Sequence, residues 1–222
     1  SQSIHILFKR KKVFIHTDTM ATEIDDQYIL VSIGLEGNSS GFGLKKIGIE
    51  IGSNNHIIVD KNGKTNLDNI YAVGDVIGPP WLAHVSSSEG LYVVEHIAKL
   101  SPKKIDYDCV PACTYSKPEI GSIGLSQKIL DERGIDYKVV KSFFNANGKA
   151  VASDSTEGFI KILVSDRNQI LGAHIIGSNA TEMISEFSLA MSNNLSVENI
   201  LDSIHPHPTF SEAIFETLMQ LR

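Results

Sequence analysis

The stretch Phe159-Ile160-Lys161-Ile162-Leu163-Val164-Ser165-Asp166-Arg167-Asn168-Gln169-Ile170-Leu171-Gly172-Ala173-His174-Ile175-Ile176 holds two apolar runs rich in β-branched residues, separated by polar turn formers. Runs of this length predict strands, and the tetrad Asp166-Arg167-Asn168-Gln169 between them predicts a hairpin turn. Working outward, residues 110–115, 120–125 and 137–144 carry similar strand patterns. Asn179 with Glu182 three positions on predicts a capping-box start for a helix that turns Met183, Ile184, Phe187, Ala190 and Met191 inward. A short helix is expected after Ser196 and a last one over about 210–221. The expectation for residues 102–222 is thus an α+β domain, an antiparallel sheet flanked by helices.

Upstream the pattern differs. Residues 13–24 alternate like a strand, and residues 28–33 form an apolar run of the kind covered on both faces in an α/β sheet, stopped by Gly34. After a Gly/Ser/Asn loop at 37–43, Asn62-Gly63 predicts a hairpin turn within 57–65, because both residues tolerate positive φ. A short strand at 70–73 ends at Gly74-Asp75. Pro79-Pro80 forces extended backbone, and 82–100 has helical periodicity with Val85, Val93, Val94, Ile97 and Leu100 near one face. The chain opens at Ser1 inside what reads as a strand-forming segment, without an initiator Met, so it looks cut from something longer.

Length and composition narrow the class. With 222 residues, 42% apolar and 21% charged, the chain can build one large or two ordinary cores. No apolar run approaches the roughly 18 to 20 residues of a membrane span. A net charge of −6 argues against nucleic acid as a partner, and Lys9-Arg10-Lys11-Lys12 reads as a solvated turn. Only Cys109 and Cys113 are present, which excludes a disulfide scaffold and suggests a reducing compartment. Read as strand, their spacing spans about 13 Å, beyond disulfide reach, so both are expected to be small core residues. There is no internal repeat or low-complexity tract.

Three segments carry chemistry. In Thr65-Asn66-Leu67-Asp68-Asn69-Ile70-Tyr71-Ala72-Val73-Gly74-Asp75, a strand delivering Gly-Asp at its carboxyl end puts an acceptor carboxylate where α/β sheets bind ligands, although a plain strand and Asp turn would look alike. Trp81-Leu82-Ala83-His84 opens a helix, whose first amides stabilise negative charge, while His84 could equally be a helix residue with no special task. In His205-Pro206-His207-Pro208-Thr209-Phe210-Ser211-Glu212, Thr209 and Glu212 can form a capping box with the histidines idle. Alternatively, Glu212 reaches back to hold His207 as a general acid/base, its ionised state favoured by the helix dipole. A metal site at His205 and His207 lacks a third ligand, a Ser211-His207-Glu212 triad lacks a nucleophile elbow, and a calcium loop at Asp60 is ended by Lys64. No metal is expected.

These segments resemble the flavoprotein disulfide reductases. The eleven residues ending at Asp75 resemble the second FAD fingerprint, and His-x-His-Pro-Thr-x-Ser-Glu at 205–212 resembles the dihydrolipoamide dehydrogenase branch. The similarity runs over nearly the whole chain, including Val31-Ser32-Ile33-Gly34, Pro118-Glu119 and Leu171-Gly172-Ala173-His174-Ile175-Ile176-Gly177. It implies that residues 1–36 are the C-terminal remnant of an NAD-binding domain, 37–101 the returning part of an FAD-binding and central domain, and 102–222 a dimerisation domain. It further implies FAD contacts at Gly74, Asp75, Trp81, Leu82, Ala83 and His84, with Trp81 standing where the family has Met. Gly34 would neighbour NAD, although Leu35-Glu36-Gly37 departs from the family's basic, proline-containing turn. His207 and Glu212 would be the catalytic pair.

The implied cofactors are FAD and NAD, and the implied partners a second copy of the chain and the lipoyl domains of 2-oxo acid dehydrogenase complexes. The implied setting is the bacterial cytoplasm, or otherwise a mitochondrial matrix. Neither a Gly-x-Gly-x-x-Gly turn nor a redox cysteine pair is present; Gly41-Phe42-Gly43 comes nearest, with Lys46 at the third position. The chain alone is therefore expected to be inactive. A non-catalytic dimerisation module and a glutathione-reductase-like enzyme are the other readings.

Overall fold

The structure, a computed structural model, describes residues 2–24 and 26–222, and the expectation of a strand at Ser1 lies outside them. The chain separates into two compact units, Ser1–Leu35 and Glu36–Arg222. In the first, Gln2–Arg10 forms helix α1, contrary to the expected opening strand. Ile4, Leu7 and Phe8 recur at helical spacing, and Lys9 and Arg10 sit in the last turn, where cations complement the helix dipole.

The strands expected at 13–24 and 28–33 do not form among the described residues. Leu30 and Ile33 are each 93% exposed. Their sequence pattern is real, but a strand is stabilised by hydrogen bonds to a neighbour, and an apolar run needs layers on both faces. Neither is supplied within Ser1–Leu35.

The second unit begins with irregular chain that closes through isolated bridges, Ile51 to Ile57 and Lys64 to Tyr71. A turn forms at Asn62-Gly63, but without the expected flanking strands and with positive φ at Gly63 alone (75°); the Asp60 carboxylate closes it, accepting from Asn62 N–H (2.8 Å) and Lys64 N–H (3.0 Å). Helix α2 spans Ala83–Ile97 and buries Val85, Glu89 and Val93, at i, i+4 and i+8. Val94, Ile97 and Leu100, expected on the same face, are 64%, 54% and 68% exposed. A charged residue thus takes the place in the buried stripe that the apolar pattern had given to others.

Past Tyr107 the expected α+β domain appears. Strands β1 (Ala112–Thr114), β2 (Ile120–Gly124), β3 (Lys138–Phe143), β4 (Phe159–Val164) and β5 (Ile170–Ile176) form one sheet in the order β1-β2-β5-β4-β3. All four pairings are antiparallel, and the β4–β5 hairpin turns at Asp166–Gln169 with Asn168 at φ 56°. Helices α3 (Gln127–Arg133), α4 (Gly148–Ala152), α5 (Ala180–Ser192), α6 (Val197–Leu201) and α7 (Glu212–Leu218) surround it. Helix α5 packs on β2 and β5, and α7 on β3 and β4. Ile160, Ile162, Ile175, Phe187 and Ile214 lie between the layers, each fully or almost fully buried.

Two local details follow from packing rather than pattern. Asn179 does not cap α5 with its side chain, because it sits at φ 60° and offers only its carbonyl, to Glu182 and Met183. The carboxylate of Glu119, in the β1–β2 connection, instead accepts from Thr181 N–H (3.2 Å) and Oγ1 (2.8 Å), an acidic cap delivered from 62 residues away. At Gly121, a Cβ would stand 2.4 Å from the Ala180 carbonyl oxygen, so the approach of α5 to β2 requires glycine.

Phe187 is 0% exposed. Phe187→Ala should therefore lower unfolding free energy by about 3–5 kcal/mol in urea titrations followed by circular dichroism. Gly121→Ala, an overpacking change against backbone, should cost about 1–3 kcal/mol by the same measurement.

Candidate active site

Between α6 and α7 the chain crosses residues 202–211, a loop held from several sides. The His207-Pro208 peptide is cis. Thr209 Oγ1 donates to the Pro206 carbonyl (2.7 Å) and the Thr209 carbonyl accepts from Asn147 Nδ2 (3.1 Å). Asn147 is itself 1% exposed, and its Oδ1 caps α4 through Ala150 N–H (2.9 Å). His205, its side chain 9% exposed, is clamped with Nε2 3.0 Å from Glu186 Oε1 and Nδ1 3.2 Å from the Ser203 carbonyl. Two of these anchors come from outside the loop, Asn147 at the start of α4 and Glu186 on α5.

Glu212 opens α7 and uses both oxygens. Oε2 accepts from Thr209 N–H at 2.8 Å, and Oε1 lies 2.8 Å from His207 Nδ1. The capping interaction and the His/Glu pair are not alternatives but share one carboxylate. Only the back half of the box exists, because Thr209 Oγ1 points to Pro206 and no side chain caps α7. The Glu212 carboxyl is held below its usual value first by the Thr209 N–H and then by His207, whereas the expectation credited the helix dipole. An ionised carboxylate can only accept, so the shared proton belongs to Nδ1, and it is Nε2 that bears the lone pair when the ring is neutral. The His207 side chain is 78% exposed against 22% for Glu212.

The cavities flanking this loop, of about 330 and 420 Å³, are lined by Pro208–Ser211 on one side and by His205 and Glu212 on the other, and not by His207. The imidazole is therefore a base presented outward without walls of its own.

The second group of expected site residues lies around the start of α2. Val73 is extended, Gly74 turns at φ 78°, and a 3₁₀ turn over Gly74–Ile77 leaves Asp75 exposed. A Cβ at Gly74 would come 3.0 Å from Ser86 Oγ. Among the described residues the Asp75 carboxylate accepts no hydrogen bond, and the Ala83 and His84 amides in the first turn of α2 donate none. Beside them, Trp81 is half-buried 6.1 Å from the His56 ring, whose Nε2 is buried without a partner. The arrangement can accept from a hydroxyl at Asp75 and donate to an electron-rich group at α2. His84 contributes only backbone there, since its Nε2–H donates to the Pro111 carbonyl (2.8 Å) and ties α2 to the residue before β1.

Gly34, at φ 127°, has nothing within 4 Å of a would-be Cβ, and no site gathers around it within Ser1–Leu35. Cys109 and Cys113 are free and partly buried; Cys113 packs against the core, but Cys109 leaves the expected strand for a 3₁₀ turn. Burial, with the neighbouring Asp106, pushes the Cys109 thiol up to about 11, and burial raises Cys113 as well. Both are poor thiolate nucleophiles.

Sequence reasoning missed Glu89, Asn147 and Glu186. Glu89 left a legible sign, a carboxylate in register with Val85 and Val93 on one helix face. Asn147 could have been read as the N-cap of a short helix but not as an anchor of Thr209, 62 residues on, and Glu186 left no sign, since its partner His205 lies 19 residues away.

Residues 6–90 match the family described as pyridine nucleotide-disulphide oxidoreductase, and residues 110–218 match the pyridine nucleotide-disulphide oxidoreductase dimerisation domain. A dihydrolipoyl dehydrogenase of Bacillus subtilis is 36% identical over 231 residues, covering 95% of this chain and 49% of the relative. The mitochondrial dihydrolipoyl dehydrogenase of Caenorhabditis elegans is 41% identical over 189 residues, covering 85% of this chain and 38% of the relative. The chain thus spans about half or less of the length of the curated relatives it matches. Among solved structures, LpdA from Mycobacterium tuberculosis superimposes with a TM-score of 0.80 at 27% identity, over 84% of this chain and 41% of that one. The flavoprotein disulfide reductase RclA from Escherichia coli, as its Cu(II) complex, gives 0.79 at 25% identity, over 84% and 43%. With both family domains matched in order, and an antiparallel sheet carrying a His–Glu pair at the mouth of its last helix, the chain belongs to the pyridine nucleotide-disulphide oxidoreductases.

Proposed function

We propose that this chain is the C-terminal part of a dihydrolipoyl dehydrogenase, which oxidises dihydrolipoamide to lipoamide, and that His207 is its catalytic base. The observation that carries this reading is the 2.8 Å His207–Glu212 contact, which leaves Nε2 free and the imidazole open to solvent. Nε2 removes the proton from a dihydrolipoamide thiol. Thiolate, not thiol, is the nucleophile that opens a disulfide, so this transfer starts the exchange in which one dithiol is oxidised as another forms. Glu212 holds the ring in the tautomer that can accept and stabilises the imidazolium produced. The attacked disulfide is supplied from outside this chain, because Cys109 and Cys113 are raised and separately placed.

Gly74, Asp75 and the main chain of residues 81–84 would hold FAD, with Asp75 accepting from a ribityl hydroxyl and the α2 amides facing the pyrimidine edge. The open carboxylate, the unpaired amides and the orphaned His56 nitrogen support that fit. FAD supplies acceptance of an electron pair and its delivery to NAD. In this reading residues 1–36 belong to an NAD domain, 37–101 to the FAD and central region, and 102–222 to a homodimer interface. The bare surroundings of His207 suit a site completed by a second subunit's disulfide. Lipoyl domains of 2-oxo acid dehydrogenase complexes are the partners, and the bacterial cytoplasm the setting preferred to a mitochondrial matrix.

The 222 residues alone should produce no NADH from NAD and dihydrolipoamide; measurable NADH absorbance growth would contradict the division of labour proposed here. In the complete flavoprotein, His207→Gln should slow turnover by roughly 10²- to 10⁴-fold with flavin content unchanged, and loss of flavin instead would make His207 structural. For Glu212 the sign is fixed by its lowered pKa: its pairing stabilises the fold above the ordinary value of 4.5 and is lost as pH falls through the folded value. Glu212→Gln, with one acceptor oxygen for two donors, should therefore unfold at a lower temperature than wild type at neutral pH. The gap should close as the pH falls progressively below the ordinary carboxyl value of 4.5, as read by calorimetry.

A further inference from the structure

We infer that Glu89 is a positioning residue for the cofactor turn, fixing the peptide that aims Asp75 and tying that turn to the dimerisation region through Tyr107. This deepens the flavin reading of Gly74–Asp75 and rests on it. Glu89 lies in the middle of α2, is 7% exposed, and occupies the apolar stripe with Val85 and Val93. A leucine there would complete the stripe without removing a carboxylate from water, so the acid is retained against a desolvation cost. Its two oxygens are both engaged. Oε2 accepts the Gly74 N–H at 2.7 Å, and Oε1 accepts the Tyr107 hydroxyl at 2.8 Å.

The first bond fixes the Val73–Gly74 peptide at the point where the chain leaves an extended conformation (Val73 φ −143°, ψ 162°) for a positive φ of 78°. The direction of the next residue, Asp75, follows from that peptide plane. No other acceptor for the Gly74 N–H exists among the described residues, since the turn closes later, through Gly78 N–H on the Asp75 carbonyl (3.3 Å). The second bond comes from the segment that leads into β1. Burial, reinforced by Glu89, pushes the Tyr107 hydroxyl up to about 12, so it remains a donor over the whole working range of pH. One buried carboxylate therefore joins the Gly74–Asp75 turn to the 3₁₀ turn at Tyr107–Cys109 that precedes β1.

The test is retitration of the complete apoprotein with FAD, followed by quenching of flavin fluorescence, for Glu89→Leu, Glu89→Gln, Tyr107→Phe and Asp75→Ala, each with its apoprotein unfolding midpoint. Glu89→Leu should weaken FAD binding about 10-fold or more, and Glu89→Gln less, because its amide oxygen can still receive the Gly74 N–H. Tyr107→Phe should fall between Glu89→Gln and wild type, and the apoprotein midpoints should stay close together. If Glu89→Leu does not fold, altered flavin circular dichroism in Glu89→Gln and Tyr107→Phe supports the role, and wild-type spectra and affinity in both overturn it. Loss of binding in Asp75→Ala with wild-type affinity in Glu89→Leu overturns the positioning role alone. Wild-type affinity in Asp75→Ala overturns the underlying assignment of the turn.

Discussion

One carboxylate with two donors organises the C-terminal end of this molecule. Because Glu212 spends Oε2 on the Thr209 amide and Oε1 on His207, the path of the loop and the orientation of the imidazole are a single constraint. Shifting the backbone at Thr209 would displace the acceptor that fixes the ring. The loop is in turn pinned by Asn147, which also caps α4, and by Glu186 on α5, which packs against β2 and β5. The antiparallel sheet thus acts on the pair at one remove, by holding the helices that hold the loop.

The same economy recurs at the other end of the second unit. Glu89 divides its oxygens between the Gly74 turn and Tyr107, while His84 gives its ring to Pro111 and Lys103 Nζ donates to the Ser192 carbonyl (2.6 Å). Three polar links therefore join α2 and its flanks to the residues around the sheet. Each is charged or involves a ring, and each is directional, which fixes relative placement where apolar packing alone would permit sliding. What the links leave open is the hydrogen-bonding capacity of the Asp75 carboxylate and of the first α2 amides.

The electrostatics separate two kinds of chemistry. Glu212 is lowered by hydrogen bonds that favour its charged form, and it borders an exposed imidazole, so proton transfer is within this chain's means. The thiols are raised by burial and by acidic neighbours, so attack by sulfur is not. The chain spans 38% to 49% of these dihydrolipoyl dehydrogenase relatives, and in the proposed reading the imidazole is the part of the exchange site that lies within it.

The sequence by itself determined whatever depends on neighbours along the chain. The strands β4 and β5 and their turn follow from β-branched runs around Asp166–Gln169, and the His207–Glu212 pair follows from a five-residue separation that a loop and one helical turn can bridge. Tertiary structure alone decided which partners meet across long separations: Glu119 at the start of α5, Glu186 against His205, Asn147 beneath Thr209, Glu89 under Gly74. It also decided that 28–33, as apolar as any core strand, remains uncovered within its own unit. The physical reason is common to all of these. A residue pattern records the tendency to be buried or extended, which is a property of one segment, whereas a hydrogen bond, a cap or a sheet ladder exists only where a second segment is delivered to meet it.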